Sequence, residues 1–389
     1  MAATVRRCVD AKLALVAHDT TEFGYSTTRE GMGRVTDEGV GFFAHFSLAI
    51  AADGRRQPLG VLGLRTHVRN GKPKRKSGRH TERRPAEERE SFRWQEGVDA
   101  AETAVAGSVP LIHLMDREAD SYSLFAHMVA RGARFVIRIR ANRRLDETEK
   151  LFEHMEGMKN VMSREVPVSA RSKQSSGGSR KAHPLREARV AILHFAADEI
   201  RLPVPSSKPN APLPLPEELT LRVVHVREKN PPEGCEPIDW KLITTEPISK
   251  RADVEAIVDF YRARWLIEEF FKALKTGCAM EKRQLESLDA MLNALALFTP
   301  IAVELLNLRY LSRHAPDMPA DQVLRPLQLR ILAKKIGLPD NPTALDAALA
   351  VARLGGHLKR NGPPGWMVLG RGYTELLALE EGARIAPNL

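Results

Sequence analysis

Cysteine is scarce in this chain: Cys8, Cys235 and Cys278 are the only three in 389 residues, widely spaced and without a CxxC pair. That pattern supports neither a disulfide framework nor a cysteine-based zinc site, and it suits a reducing cytoplasm. No run of 18 apolar residues occurs, so no membrane span is indicated. The first 18 residues carry Arg6, Arg7, Asp10 and Lys12 and lack a long apolar core, so no secretory signal is expected. There is no internal repeat. Acid is in deficit: 49 Asp and Glu against 59 Lys and Arg leave a net charge of +10 and a pI near 9.6. An imbalance of that size points to a polyanionic partner, most often nucleic acid.

What is present begins with short apolar runs. Lys12–Asp19 reads as a buried strand ending at an acid, and Gly39–Ile50 and Gly60–Val68 read as further strands. Residues 70–84 form a basic, Gly- and Pro-containing stretch that reads as a loop, either contacting nucleic acid or simply solvated. Glu87–Ala106 is helical and closed by Gly107. Pro110–Asp116 is another apolar strand finishing at an acid, Ser121–Ala130 a helix, and Arg134–Arg140 an alternating strand with a basic exit. Three strands in sequence favour antiparallel neighbours, and the later strand–helix alternation favours parallel additions. The order matches a ribonuclease-H-like α/β core, a mixed sheet flanked by helices, although spacing alone leaves other α/β folds open. Residues 146–250 change character: a flexible SKQSSGGS turn at 172–179, strands at Val190–Phe195 and Leu219–Arg227, a proline-rich loop at Leu202–Pro216, and the strand Trp240–Thr245. Leu285–Leu311 is apolar and helical, and two or three more helices follow.

Between them lies YRARWLIEEFFKALK, Tyr261 to Lys275, free of Gly and Pro and rich in helix formers. Its periodicity predicts one amphipathic helix. Tyr261, Arg264, Glu268, Lys272 and Lys275 fall on one side; Ala263, Ile267, Phe270 and Leu274 form a core-facing stripe opposite. Arg264–Glu268 and Glu268–Lys272 are (i, i+4) ion pairs, which on their own describe a solvated helix surface. Two further acids sit at informative points: Asp19, inside HDTT, and Asp116, inside DREAD. Each alone is equally a turn cap. Together with Glu268 they make a three-carboxylate set of the hard-oxygen kind that Mg²⁺ or Mn²⁺ takes. Two such ions activate a hydroxyl and stabilise the leaving oxygen in phosphodiester displacement.

The spacing Y-x2-R-x3-E-x6-K at Tyr261, Arg264, Glu268 and Lys275 resembles the YREK motif of bacterial cut-and-paste insertion-sequence transposases of the DDE class. HDTT and DREAD are similar to the segments that hold that family's two catalytic aspartates, and the likeness spans about residues 13–385. The resemblance implies a ribonuclease-H-like core with Asp19, Asp116 and Glu268 as the catalytic, metal-binding triad for two Mg²⁺ ions, Mn²⁺ substituting. It also implies DNA contacts from Tyr261, Arg264, Lys272 and Lys275. Trp240 resembles the tryptophan that stacks on a flipped base, and is equally read as a half-buried strand residue. The reaction implied is strand cleavage at the element end, hairpin formation, hairpin opening and strand transfer into target DNA, by a homodimer in a synaptic complex. No membrane partner is expected, and the expected location is the cytoplasm, with the nucleoid.

The expected division is residues 1–145 as the first part of the core, 146–250 as a β-rich insertion, 251–315 as its helical completion, and 316–389 as a dimerisation region. That last part contains Gly355-Gly356 and Gly365-Trp366. The family usually carries a separate N-terminal helical domain for end recognition, whereas 18 residues precede Asp19 here. The alternative reading is an N-terminally truncated, non-catalytic regulator or relic that pairs with a full-length transposase.

Overall fold

The computed structural model describes residues 1–35, 39–69, 90–168, 187–206, 214–358, 360 and 362–385. The basic stretch at 70–84 and the turn at 172–179 lie outside them. The described chain is α/β, with a mixed sheet flanked by helices and a helical C-terminal region. It divides into two compact units, the first Met1–Lys72, Thr103–Val109 and Trp265–Leu389, the second Pro73–Glu102 and Pro110–Arg264.

In the first unit a short helix, α1 (Ala2–Asp10), precedes the strands β1 (Ala14–Tyr25), β2 (Gly33–Arg34), β3 (Val40–Ala51) and β4 (Pro58–His67). β3 pairs antiparallel with β1, β2 and β4. β1 runs past the acid at which the sequence pattern placed its end: Asp19 is a mid-strand residue opposite Phe46. Thr20, Thr21, Phe23 and Tyr25 are good strand formers, and β3 supplies a partner for every residue as far as Tyr25↔Val40. Phe23, Phe42, Phe46 and Phe270 are fully buried and dominate this core.

The helices of this unit are α6 (Leu266–Lys272), α7 (Leu288–His314), α8 (Pro326–Lys335), α9 (Ala344–Leu354) and α10 (Trp366–Ile385), numbered in chain order after those of the second unit. By length and mean composition alone α7 could cross a membrane, although polar residues interrupt it throughout. Half of its most apolar stretch is buried within the protein, as in a core helix.

The second unit holds a mixed sheet in the order β5 (Leu111–Met115), β6 (Arg134–Arg138), β10 (Asp239–Thr244), β9 (Glu218–Glu228), β8 (Arg189–Pro203), β7 (Asn160–Val168). β5 and β6 are parallel, as expected for strands joined through the helix α3 (Tyr122–Ala130); the remaining neighbours are antiparallel. Most of the helix α2 (Phe92–Val105), with α4 (Leu151–Gly157) and α5 (Arg251–Ala263), completes the unit. Its core gathers Trp94, Phe125, Phe135, Leu202 and Leu221.

The stretch from Tyr261 to Lys275 is not one α-helix. Arg264 N–H bonds the Tyr261 carbonyl at 3.2 Å and Glu268 N–H the Trp265 carbonyl at 3.1 Å, tight i→i−3 steps that separate α5 from α6. From Ala273 to Gly277 the coil widens to a π turn, closed by Cys278 N–H on the Ala273 carbonyl at 2.8 Å. The apolar stripe survives these changes: Ala263, Ile267, Phe270 and Leu274 are all buried. Tyr261 is buried with them, at 7% exposure, instead of standing on the open face.

Candidate active site

In the first unit, β-strand alternation puts Asp19 on the same sheet face as Phe23, and its cross-strand partner Phe46 shares that face. The Phe46 ring meets Phe270 and Phe271 of α6, with centroids 5.1 and 5.9 Å apart. The helix that carries Glu268 therefore lies over the face that carries Asp19. Asp19 Oδ1 accepts the Thr20 N–H at 2.8 Å. The opposite face is occupied by imidazoles: His18 Nδ1 lies 3.1 Å from Ser47 Oγ, His45 Nδ1 lies 2.9 Å from Thr20 Oγ1, and the two rings stack.

Lys275 of the motif and Lys272, predicted on the same face, are both engaged within the same unit. Lys275 Nζ donates to the Glu22 carbonyl at 2.5 Å, sits 3.0 Å from Glu281 and lies over the Phe23 ring. Lys272 Nζ donates to Glu269 Oε1 at 2.7 Å, the neighbour of the carboxylate that the helical wheel assigned to it.

In the second unit, Asp116 follows β5 directly and caps the turn Arg117–Ala119, its Oδ1 accepting the Glu118 N–H at 2.8 Å. The capping alternative is thus realised, and it fixes one carboxylate oxygen at the strand's end. The other acids of DREAD are structural. Glu118 pairs with Arg93 at 2.8 Å. Asp120 accepts the Arg140 and Ala141 N–H groups at 2.7 and 2.8 Å and pairs with Arg143 at 2.6 Å, pinning the chain as it leaves β6.

Tyr261 is the hub of a second cluster in this unit. Trp240, half-buried on β10, meets its ring edge-on at 5.7 Å, and the Arg264 guanidinium lies 6.0 Å from the ring centre. Arg138, the last residue of β6, donates to the Asp239 carbonyl at 2.8 Å and feels the Tyr261 phenol. Burial is the largest influence on Arg138 and pulls its pKa below the ordinary arginine value; Tyr261 opposes this and the nearby Arg117 adds to it. Sequence reasoning left Arg138 out of the candidate set. Its only signal was the alternation of RFVIRIR, which marks it as polar on a half-buried strand. From the β-rich segment, Arg164 of β7 grips Asp259 through two hydrogen bonds of 2.8 and 2.9 Å, two residues before Tyr261.

The donor chemistry of Asp19, Asp116 and Glu268 is that of a hard-cation site, three carboxylates without nitrogen or sulfur. Among the described residues, however, no three His, Cys, Asp or Glu side chains are grouped so as to hold one ion. Asp19 and Glu268 belong to the first unit and Asp116 to the second.

Carboxylates, cations and an edge-on aromatic pair on an α/β scaffold leave the class of protein open. The comparison with known families narrows it. Residues 97–299, just over half of the chain, match the family described as the transposase DDE domain, and the protein belongs to that family. Asp116, Trp240, Tyr261, Arg264, Glu268, Lys272 and Lys275 lie inside the matched stretch, and Asp19 lies outside it. Proteins of this family act in DNA transposition and generally use divalent metal ions. The chain also superposes, over 99% of its length, on a cryo-EM structure of the piggyBac transposase synaptic complex with hairpin DNA. It spans 57% of that chain's length, at 10% identity and a TM-score of 0.38.

Proposed function

We propose that this protein is a DNA transposase of the insertion-sequence type that cleaves DNA at the element's ends, passes through a hairpin intermediate and transfers the freed 3′ end to target DNA. Asp19, Asp116 and Glu268 are its catalytic carboxylates, on a ribonuclease-H-like core. The observation that carries the reading is membership of the DDE transposase family, with Asp116 and Glu268 inside the matched stretch. It is supported by α6 covering the sheet face that bears Asp19. Mg²⁺ or Mn²⁺, the hard cations that carboxylates take, would when bound lower the pKa of an attacking hydroxyl and stabilise the leaving oxygen.

The chain's other groups bind and orient DNA. Arg138 and Arg264 flank Tyr261 and offer cations to backbone phosphates, and Trp240 offers an indole face for a displaced base. Lys272 and Lys275 reach phosphate by exchanging the partners they hold without DNA, Glu269 for one and Glu22 and Glu281 for the other. Two copies act together, one at each end of the element.

The test uses linear duplexes carrying inverted repeats identified by sequencing the DNA on either side of the coding region. Glu268→Gln should lower Mg²⁺-dependent cleavage by more than about 100-fold while DNA affinity, set by phosphate contacts, changes by less than about threefold. Manganese binding followed by electron paramagnetic resonance should weaken in parallel. Unchanged cleavage removes Glu268 from the triad, and cleavage without strand transfer in the wild type makes the protein a nuclease.

A further inference from the structure

α6 is a seven-residue helix, entered through a tight i→i−3 step and left through a π turn. Two turns of helix have little stability of their own. A carboxylate on such a segment needs external support to hold one position.

That support converges on Glu269, the residue after the proposed catalytic glutamate. Glu269 Oε2 accepts from Arg309 Nη1 at 2.8 Å, and Oε1 accepts from Lys272 at 2.7 Å. Arg309 projects from α7, its side chain only 15% exposed, and its guanidinium lies 4.1 Å over the ring of Trp366. Trp366 is the first residue of α10 and is itself buried. One turn further along, α10 touches the π turn backbone to backbone: a Cβ on Gly370 would stand inside contact distance of the Gly277 carbonyl oxygen, at 1.9 Å. The segment 266–277 is thereby held at its middle through Glu269–Arg309–Trp366 and at its end through Gly277–Gly370. Burial is the largest influence on Arg309 and pulls its pKa down, Arg313 acts in the same direction, and Glu269 opposes both.

We propose that Arg309 is a positioning residue for Glu268: it couples α6 to the first turn of α10 through Glu269 and Trp366, so that the C-terminal helix sets where the catalytic carboxylate stands. This rests on the assignment of Glu268 made above. Neither Arg309 nor Glu269 touches the reacting atoms. Their part is to neutralise the like charge adjacent to Glu268 and to fix the rotation of a helix too short to fix itself. The C-terminal region, beyond any role in pairing two copies, then belongs to the catalytic apparatus of its own chain.

The experiment compares Arg309→Met, which keeps an apolar stem over Trp366 but loses the ion pair, with Arg309→Lys, which keeps the charge. Three quantities are read on the full chain: the single-turnover cleavage rate at saturating DNA, the DNA dissociation constant, and amide hydrogen exchange across residues 266–277. For Arg309→Met the cleavage rate should fall by about 30-fold with affinity within about threefold, and Arg309→Lys should recover most of the loss. Exchange in 266–277 should quicken by about tenfold in Arg309→Met, with β1 and β3 unchanged. Wild-type rate and exchange in Arg309→Met overturn the proposal, as does a uniform rise in exchange through the first unit. If the wild type fails to cleave while the exchange response appears, the transposase reading falls and the support of α6 by Arg309 stands.

Discussion

Glu380 offers a sharp stability test, because a carboxylate only 3% exposed is enclosed by four donor contacts. Arg325 Nε and Nη2 reach it at 3.0 and 2.6 Å, Gln328 Nε2 at 2.9 Å and Arg384 Nη2 at 2.8 Å, tying α8 to α10. Replacing Glu380 by Ala leaves the Gln328 amide, buried at 1% exposure, without this acceptor, a loss of about 1–3 kcal/mol. The two arginine side chains are 43% and 58% exposed and can turn to water, and Arg325 already has Glu304 at 3.4 Å. Their loss therefore falls short of the roughly 3–5 kcal/mol typical of a fully buried broken pair. The sum is about 3 kcal/mol, or about a 100-fold drop in the amide-exchange protection of residues 326–335 and 366–385. Local exchange is the right assay because a chain of two units need not unfold in one step.

The pH dependence of that loss has a definite sign. The Arg325 hydrogen bonds are the largest influence holding the Glu380 carboxyl below its ordinary range, with burial opposing them. The stabilisation it provides is complete above the unfolded glutamate pKa of about 4.3 and is lost as pH falls through the lower folded value. The gap between wild type and Glu380→Gln, which cannot ionise, should therefore close as pH drops from 6 toward 3. Protection unchanged within about threefold in the alanine variant, or a gap as wide at pH 3 as at pH 7, refutes the reasoning.

Two glycines of α10 make a paired test. Gly372→Ala drives a Cβ to 1.7 Å from the Val351 carbonyl oxygen of α9, whereas Gly382→Ala meets nothing within 4 Å. The first should destabilise by about 2 kcal/mol despite alanine's better helix propensity, and the second should stabilise by up to about 1 kcal/mol, read as opposite shifts in thermal midpoint. For Asp239, a hydrogen bond from His225 at 2.8 Å is the main cause of a carboxyl pKa lowered to about 2. Carboxyl carbon shifts should titrate near that value in wild type and move toward about 3.9 in His225→Ala. The stability it lends is present above the unfolded value and lost as pH falls toward 2, and a titration unmoved by the substitution refutes the pairing.

Strand order was legible because burial period is written into residue type. KLALVAHD, GVGFFAHFSLAI and PLIHLMD each announce a strand, and the strands they form pair antiparallel early and parallel at β5–β6. The length of β1 was not legible. The acid in HDTT reads as a strand end, whereas the pairing with β3 carries Asp19 and the two threonines on as extended chain. The α5–α6 break was equally silent, since Tyr261 to Lys275 keeps helical period throughout. What departs is the backbone bond pattern, i→i−3 at one end and i→i−5 at the other.

Charge placement shows most plainly why a motif underdetermines a site. The helical wheel gave Lys272 to Glu268 because (i, i+4) neighbours face one another on an ideal helix. The folded chain gives it to Glu269, whose other oxygen is held by Arg309, 40 residues away on α7. Lys275 likewise serves a β1 carbonyl and Glu281, neither of them in its own helix. Helical period fixes which face a charge occupies, and that much the motif conveyed. The partner is chosen by whichever opposite charge the tertiary fold brings within about 4 Å, where the Coulomb term is steepest. Which partner Glu269 takes is accordingly decided by Arg309, an arginine that no local pattern reveals.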